Sequence, residues 1–315
     1  MDKSLNKDYF RVAKGVWGMK IIFVNVYMIA ENDHWVLIDA GLPGTAKRII
    51  NMANDIFGAQ PPAAIIFTHG HFDHRGAIDQ LLDVWDVPVY AHPMELPYLT
   101  GKSAYPPPDP NAGGGLMSLL SIMYPRRPID LGKKILPLIE NGKLPYLPNW
   151  SYLHTPGHAP GHVSLFRDAD KVLIAGDAFV TTRQESAIAA FTYPKIISGP
   201  PRYFTPDWVA AKQSVIKLRN LHPAIAATGH GEVMQGEELK SGLDHLVKNF
   251  TELSVPKYGR YTNEAAVANQ NGVQYVPPAR TSPGMVLSVI TLTGVIALGV
   301  YKMLNEYKRL STGFN

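Results

Sequence analysis

The sequence predicts an α/β protein folded as a four-layer αββα sandwich. Three observations carry this expectation. Short apolar, β-branched runs of strand length alternate with helix-length segments, and the order strands-then-helices occurs twice along the chain. With 46% apolar residues the chain can fill a large core. Its 27 glycines and 26 prolines mark a loop-rich protein rather than a helical bundle.

In the first half, residues 20–30 (KIIFVNVYMIA) and 35–39 (WVLID) flank the turn-like Glu31-Asn32-Asp33, which predicts a hairpin of buried strands. A turn over 40–44 leads into a helix from Thr45. Residues 63–67 (AAIIF) predict a short buried strand ending in a histidine-rich loop, followed by a helix over 78–85 and a strand over 87–91. Residues 93–150 differ. The proline run at 106–108, the glycines at 113–115 and the apolar stretch 116–124 (LMSLLSIMY) predict an insertion over the domain with one helix of its own. The second half has strands at 151–155, 162–167 and 171–175, a helix from Asp207 to Leu221 capped by Thr205, a strand at 224–227 and a helix at 236–253.

Composition excludes several chemistries. With no cysteine there is no disulfide scaffold, no thiolate metal site and no cysteine nucleophile. The formal net charge of +4 is spread along the chain, so no nucleic-acid partner is expected. The first ten residues (MDKSLNKDYF) lack the apolar segment of an export signal.

The chemistry is concentrated in Thr68-His69-Gly70-His71-Phe72-Asp73-His74, directly after the AAIIF strand. Three imidazoles and a carboxylate so close together suit zinc, iron or manganese. His158, Asp177 and His230 each follow a predicted strand and sit beside glycine, the placement that brings ligands to one edge of an α/β protein. The set H-x-H-x-D-H, then G-H, G-D and G-H, resembles the metallo-β-lactamase fold superfamily. Within it, residues 154–165 (HTPGHAPGHVSL) are most similar to the glyoxalase II-like hydrolases. The resemblance covers residues 12–255.

It implies two divalent metal ions, zinc foremost, with iron or manganese as alternatives. His69, His71 and His158 would hold one ion; Asp73, His74 and His230 would hold the other, with Asp177 bridging. Two such ions make a bridging hydroxide available near neutral pH, and Asp73 would move its proton to the leaving group. Asp39 is expected beneath the ligand loops and His162 as a buried, hydrogen-bonded histidine behind them. The implied reaction is hydrolysis of a small-molecule thioester, lactone or ester. The apolar 116–124 segment would border the site and favour a hydrophobic substrate, or support a homo-oligomer contact. Two alternatives use the same ligands: an iron-dependent persulfide dioxygenase-like oxidoreductase and a ribonuclease Z-like phosphodiesterase.

The expected organisation is a catalytic domain over 1–275, a proline-rich linker over 276–284, a transmembrane helix over 285–301 and a basic polar tail over 302–315. The uncharged run MVLSVITLTGVIALGVY would span about 26 Å, at the short end for a bilayer. This predicts a membrane-associated protein with a single-pass C-terminal anchor. Lys302, Lys308 and Arg309 favour a cytoplasmic tail, but the missing export signal favours a cytoplasmic catalytic domain, which is the expected orientation.

Overall fold

The structure is a computed structural model and describes residues 9–280. A seven-stranded sheet holds β1 (Tyr9–Ala13), β2 (Val16–Ile21), β3 (Val24–Glu31), β4 (His34–Ile38), β5 (Ala64–Ile66), β6 (Val89–Ala91) and β7 (Ile135–Pro137), in that spatial order. The first four strands are antiparallel; β4 to β7 run parallel. A six-stranded sheet holds β8 (Lys143–Leu144), β9 (Leu147–His154), β10 (Val163–Arg167), β11 (Val172–Gly176), β12 (Ile225–Thr228) and β13 (Met234–Gln235) in the reverse order. Only β11 and β12 pair in parallel there.

The period-2 alternation of each strand sorts its side chains between layers. Val36 and Ile38 of β4 pack in the middle layer with Val172 and Ile174 of β11, which joins the two sheets. Trp35 and Leu37 face outward and meet Ile49, Met52 and Ala53 of α1 (Ala46–Phe57). Leu173 and Ala175 face the other way, onto Val215 and Leu218 of one outer helix (Trp208–Arg219) and Leu243 of another (Gly236–Lys248). Because both faces of the central strands are covered, they read as continuous apolar runs. The result is the expected αββα order.

Several details depart from the sequence reading. The run 20–30 is not one strand: it turns at Ile22, whose φ is 59°, and residues 16–21 pair back onto it. Residues 93–150 carry short helices and also contribute β7 to one sheet and β8, with the start of β9, to the other. The helix Trp208–Arg219 is capped by Asp207, whose carboxylate accepts from Ala210 N–H at 2.9 Å, while the Thr205 hydroxyl donates to Pro201 O. A carboxylate two residues nearer the helix reaches its free amides and Thr205 does not.

The membrane expectation is corrected. Among the described residues no helix is long and apolar enough to cross a membrane. The helix Gly236–Lys248, at 13 residues, spans about 20 Å, short of the roughly 30 Å of a bilayer core. The expected transmembrane segment 285–301 and the tail 302–315 lie outside the described residues. Over the described residues the fold class is the four-layer sandwich. The single-pass anchor, the membrane partner and the membrane-associated localisation with a cytoplasmic catalytic domain have no helix here to rest on.

Candidate metal centre

The strands deliver their chemistry at one edge of the sandwich. β4 ends just before Asp39, β5 two residues before Thr68, β9 before the His158 loop, β11 at Asp177 and β12 before His230. His71 caps the one-turn helix α2 (Phe72–Arg75), which carries Asp73 and His74. Thus seven side chains from four segments of the chain converge. His69, His71 and His158 form one group whose donor atoms lie within 4.8 Å of one another; Asp73, His74 and His230 form a second; His69, His74 and Asp177 form a third that shares members with both. All seven are buried.

Asp177 Oδ2 lies 3.0 Å from His230 Nε2, 3.4 Å from His158 Nε2 and 3.6 Å from His74 Nε2. His71 Nδ1 and His158 Nε2 face each other at 2.9 Å, and Asp73 Oδ2 is 3.5 Å from His230 Nε2. Gly229 is required here, since a side-chain carbon at that position would collide with the Asp177 carboxylate and the His74 ring.

Surrounding hydrogen bonds set which ring nitrogen is free. His230 Nδ1 donates to Phe23 O at 2.6 Å, and His74 Nδ1 donates to Asp39 Oδ2 at 2.8 Å, so each Nε2 carries a lone pair. Thr68 Oγ1 donates to Asp39 Oδ2 and faces His69 Nδ1 at 3.1 Å, which leaves His69 Nε2 free. His162 lies behind Asp177: its Nε2 accepts the Asp177 N–H at 2.8 Å, and its Nδ1 meets Thr155 Oγ1 at 2.9 Å. Asn25 donates to Thr228 O and Gly231 O, bracing the His230 loop against β3.

These surroundings separate the charges. Burial, then the neighbouring imidazoles, hold His69 and His71 well below the usual histidine range; burial brings His158 down to about 3. Burial also works against a charged His74 and His230, but the Asp177 carboxylate overcomes it and raises both. Burial opposes ionisation of Asp177 as well, and His230 and His74 overcome it, holding that carboxyl well below its ordinary value. Burial raises Asp73. His69, His71 and His158 are thereby held neutral beside an ionised Asp177, the protonation state that binds a metal, whereas His74 and His230 favour the protonated form and give up that proton when a metal binds.

The donor set fits divalent metal ions on its own evidence. His69 Nε2, His74 Nε2 and Asp177 Oδ1 are buried atoms with no hydrogen-bond partner, all inside the cluster. Leaving three such atoms unmet is costly, and metal ions bound in the cluster would satisfy them. The centre accordingly accommodates two divalent metal ions, as the sequence implied.

Other residues had no sequence signal. Phe204 stacks on the His71 ring with centroids 4.5 Å apart, and Phe23 lies 6.3 Å from His230. Phe204, Met117, Tyr203 and Ala190 form an apolar cluster with Phe23, Phe72 and Tyr124 beside the centre. Only 116–124 was singled out from its composition; the rest come from four other segments.

The metallo-beta-lactamase superfamily model matches residues 20–230. The chain is 46% identical over 248 residues to the probable metallo-hydrolase YflN of Bacillus subtilis (strain 168), covering 78% of this chain and 94% of that one. It is 30% identical over 217 residues to the probable metallo-hydrolase YybB of the same organism, covering 69% and 84%. Among solved structures, the BLEG-1 B3 metallo-beta-lactamase is similar at a TM-score of 0.50 and 25% identity, over 74% of this chain and 95% of that one. With the donor groups converging at the edge of an αββα sandwich, this chain belongs to the metallo-beta-lactamase superfamily and is a metal-dependent hydrolase.

Proposed function

We propose that the chain hydrolyses a carboxylic thioester, ester or lactone, in the manner of the glyoxalase II-like branch of its superfamily. In this reading His69, His71 and His158 would hold one ion and Asp73, His74 and His230 the other, with Asp177 available to both groups. The observation that carries it is the pair of three-residue groups joined through His69, His74 and Asp177, with unmet donor atoms at their centre. The similarity of residues 154–165 to glyoxalase II-like hydrolases supports the branch.

The ions, when bound, supply hydroxide near neutral pH and polarise the carbonyl. The chain's own residues do the rest. Asp39, Thr68 and the Phe23 carbonyl fix the tautomers that keep His69, His74 and His230 aimed inward. Asp73 would take a proton from the attacking oxygen and return it to the departing oxygen or sulfur. Phe72, Tyr124 and Phe204 exclude water and hold the apolar part of the substrate.

The test is ion counting by mass spectrometry on purified full-length protein, beside a panel of thioesters, lactones, esters and β-lactams. Two ions per chain, with turnover of the first three classes lost to chelators and restored by zinc, is the expected result. A single redox-active iron with oxygen uptake would instead place the chain with the persulfide dioxygenase-like enzymes.

A further inference from the structure

Glu95 is fully buried on a short 3-10 turn (Pro93–Glu95) that follows β6, away from every ligand in sequence. Its two carboxylate oxygens divide between two loops. Oε2 accepts the Gly70 N–H at 2.9 Å and also takes the Tyr105 hydroxyl; Oε1 accepts the Gly161 N–H at 2.7 Å. Gly70 separates His69 from His71, and Gly161 follows His158 by three residues. The same Tyr105 lies against the His71 ring at 4.5 Å and stacks on Tyr98 at 3.9 Å.

Both glycines are explained by this approach. A side-chain carbon at 161 would sit 2.8 Å from Glu95 N and Cγ, and one at 70 would sit 2.7 Å from Tyr105 Oη. The two loops leave different sheets, β5 of one and β9 of the other. Their separation is therefore a tertiary matter that local geometry leaves open, and the carboxylate spans it.

We propose that Glu95 is a positioning residue of the metal centre, clamping the loop of His69 and His71 to the loop of His158 so that the three imidazoles stand as one preformed set. The inference rests on the ligand assignment proposed above. It predicts selectivity, because His74 and His230 are oriented by Asp39 and the Phe23 carbonyl, neither of which touches the clamp. In Glu95→Gln the carboxamide oxygen can accept from one loop, while its NH2 faces the amide of the other, donor against donor.

The experiment challenges zinc-loaded full-length protein with graded chelator and counts the remaining ions by mass spectrometry. His71→Ala and His230→Ala, each belonging to one donor group only, serve as references for loss at each group. Glu95→Gln is expected to release one ion at about 10–100-fold lower chelator strength than wild type, the range for partners of metal ligands. The ion retained should be the one that His71→Ala retains. Retention of both ions as in wild type, or parallel loosening of both, overturns the clamp. If Glu95→Gln does not accumulate folded, Glu95→Asp, which keeps the charge but reaches only one loop, should show the same selective loss in weaker form; wild-type retention overturns the proposal. A wild-type chain that never holds two ions overturns the ligand assignment itself, an outcome visible before any Glu95 variant is made.

Discussion

His74 Nδ1 lies 2.8 Å from Asp39 Oδ2, a contact between residues 35 positions apart. Asp39 follows the last residue of β4 with φ at 63°, in the left-handed region that Asp and Asn enter more readily than most residues. From there one carboxylate accepts from Thr68 N–H, Thr68 Oγ1 and His74 Nδ1, each at 2.8 Å. A single side chain thereby sets the tautomers of His74 directly and of His69 through Thr68.

Replacing Asp39 separates this orienting role from a turn-forming one. Asn suits the same backbone, so Asp39→Asn should fold, yet it loses the charged acceptor behind His74. Metal affinity is expected to drop about 10–100-fold in chelator competition. Affinity equal to wild type would leave Asp39 as a turn residue only.

The proposed ligands should matter more than their supports. Asp177→Ala removes the carboxylate nearest three imidazoles, and His69→Ala removes a member of two donor groups. Each variant is expected to lose bound metal and to reduce hydrolysis by more than about 100-fold, beyond the range for outer partners. Full activity in wild-type protein stripped of metal would sink the metal-dependent mechanism.

The metal-free fold should weaken in mild acid. His69, His71, His158 and His162 are held neutral by burial, with folded values below the ordinary 6.5 and His158 at about 3. The unfolded chain takes up these protons first, so the stability they contribute is present above pH 6.5 and is lost as pH falls toward 3. His74 and His230, which are raised, act in the opposite sense: their contribution is full below 6.5 and is lost as pH rises through their folded values. His92, brought down to about 4 by burial, and His154 act with the lowered four, while the raised carboxyls of Asp73 and Glu95 act with His74 and His230, so six groups that lose stability on acidification stand against four that gain it. Thermal melting of chelator-treated protein should therefore occur at lower temperature at pH 5 than at pH 7.5, and His158→Asn should flatten the difference. A melting temperature that rises on acidification would contradict this balance.

Substrate preference can be tested at the edge of the aromatic cluster. Ile122 and Met123 are 69% and 68% exposed on the turn that follows Met117 and precedes Tyr124. Changing both to Ser should alter stability by less than about 1 kcal/mol, since neither supports the core. KM for esters or lactones with long apolar acyl groups should rise several-fold, with short polar substrates unaffected. Equal losses for both kinds would show that the segment only shapes the fold.

The sequence by itself determined what depends on local pattern. Apolar runs such as 63–67 and 171–175 and the amphipathic stretch after Thr45 marked most strands and helices, because alternation and helical periodicity are written in neighbouring residues. The donor types and their placement after strands were equally legible, including all seven side chains that converge. Tertiary structure alone decided how they converge. The partition of His69 and His74 between donor groups, the reach of Asp39 to His74, the Glu95 bonds to Gly70 and Gly161 and the Phe204 ring on His71 join segments separated by tens of residues. The packing of one sheet on the other sets these distances, and no local periodicity encodes that packing. The same limit applies to the cap of the helix Trp208–Arg219, where Asp207 rather than Thr205 reaches the free amides because the preceding turn directs the Thr205 hydroxyl to Pro201 O.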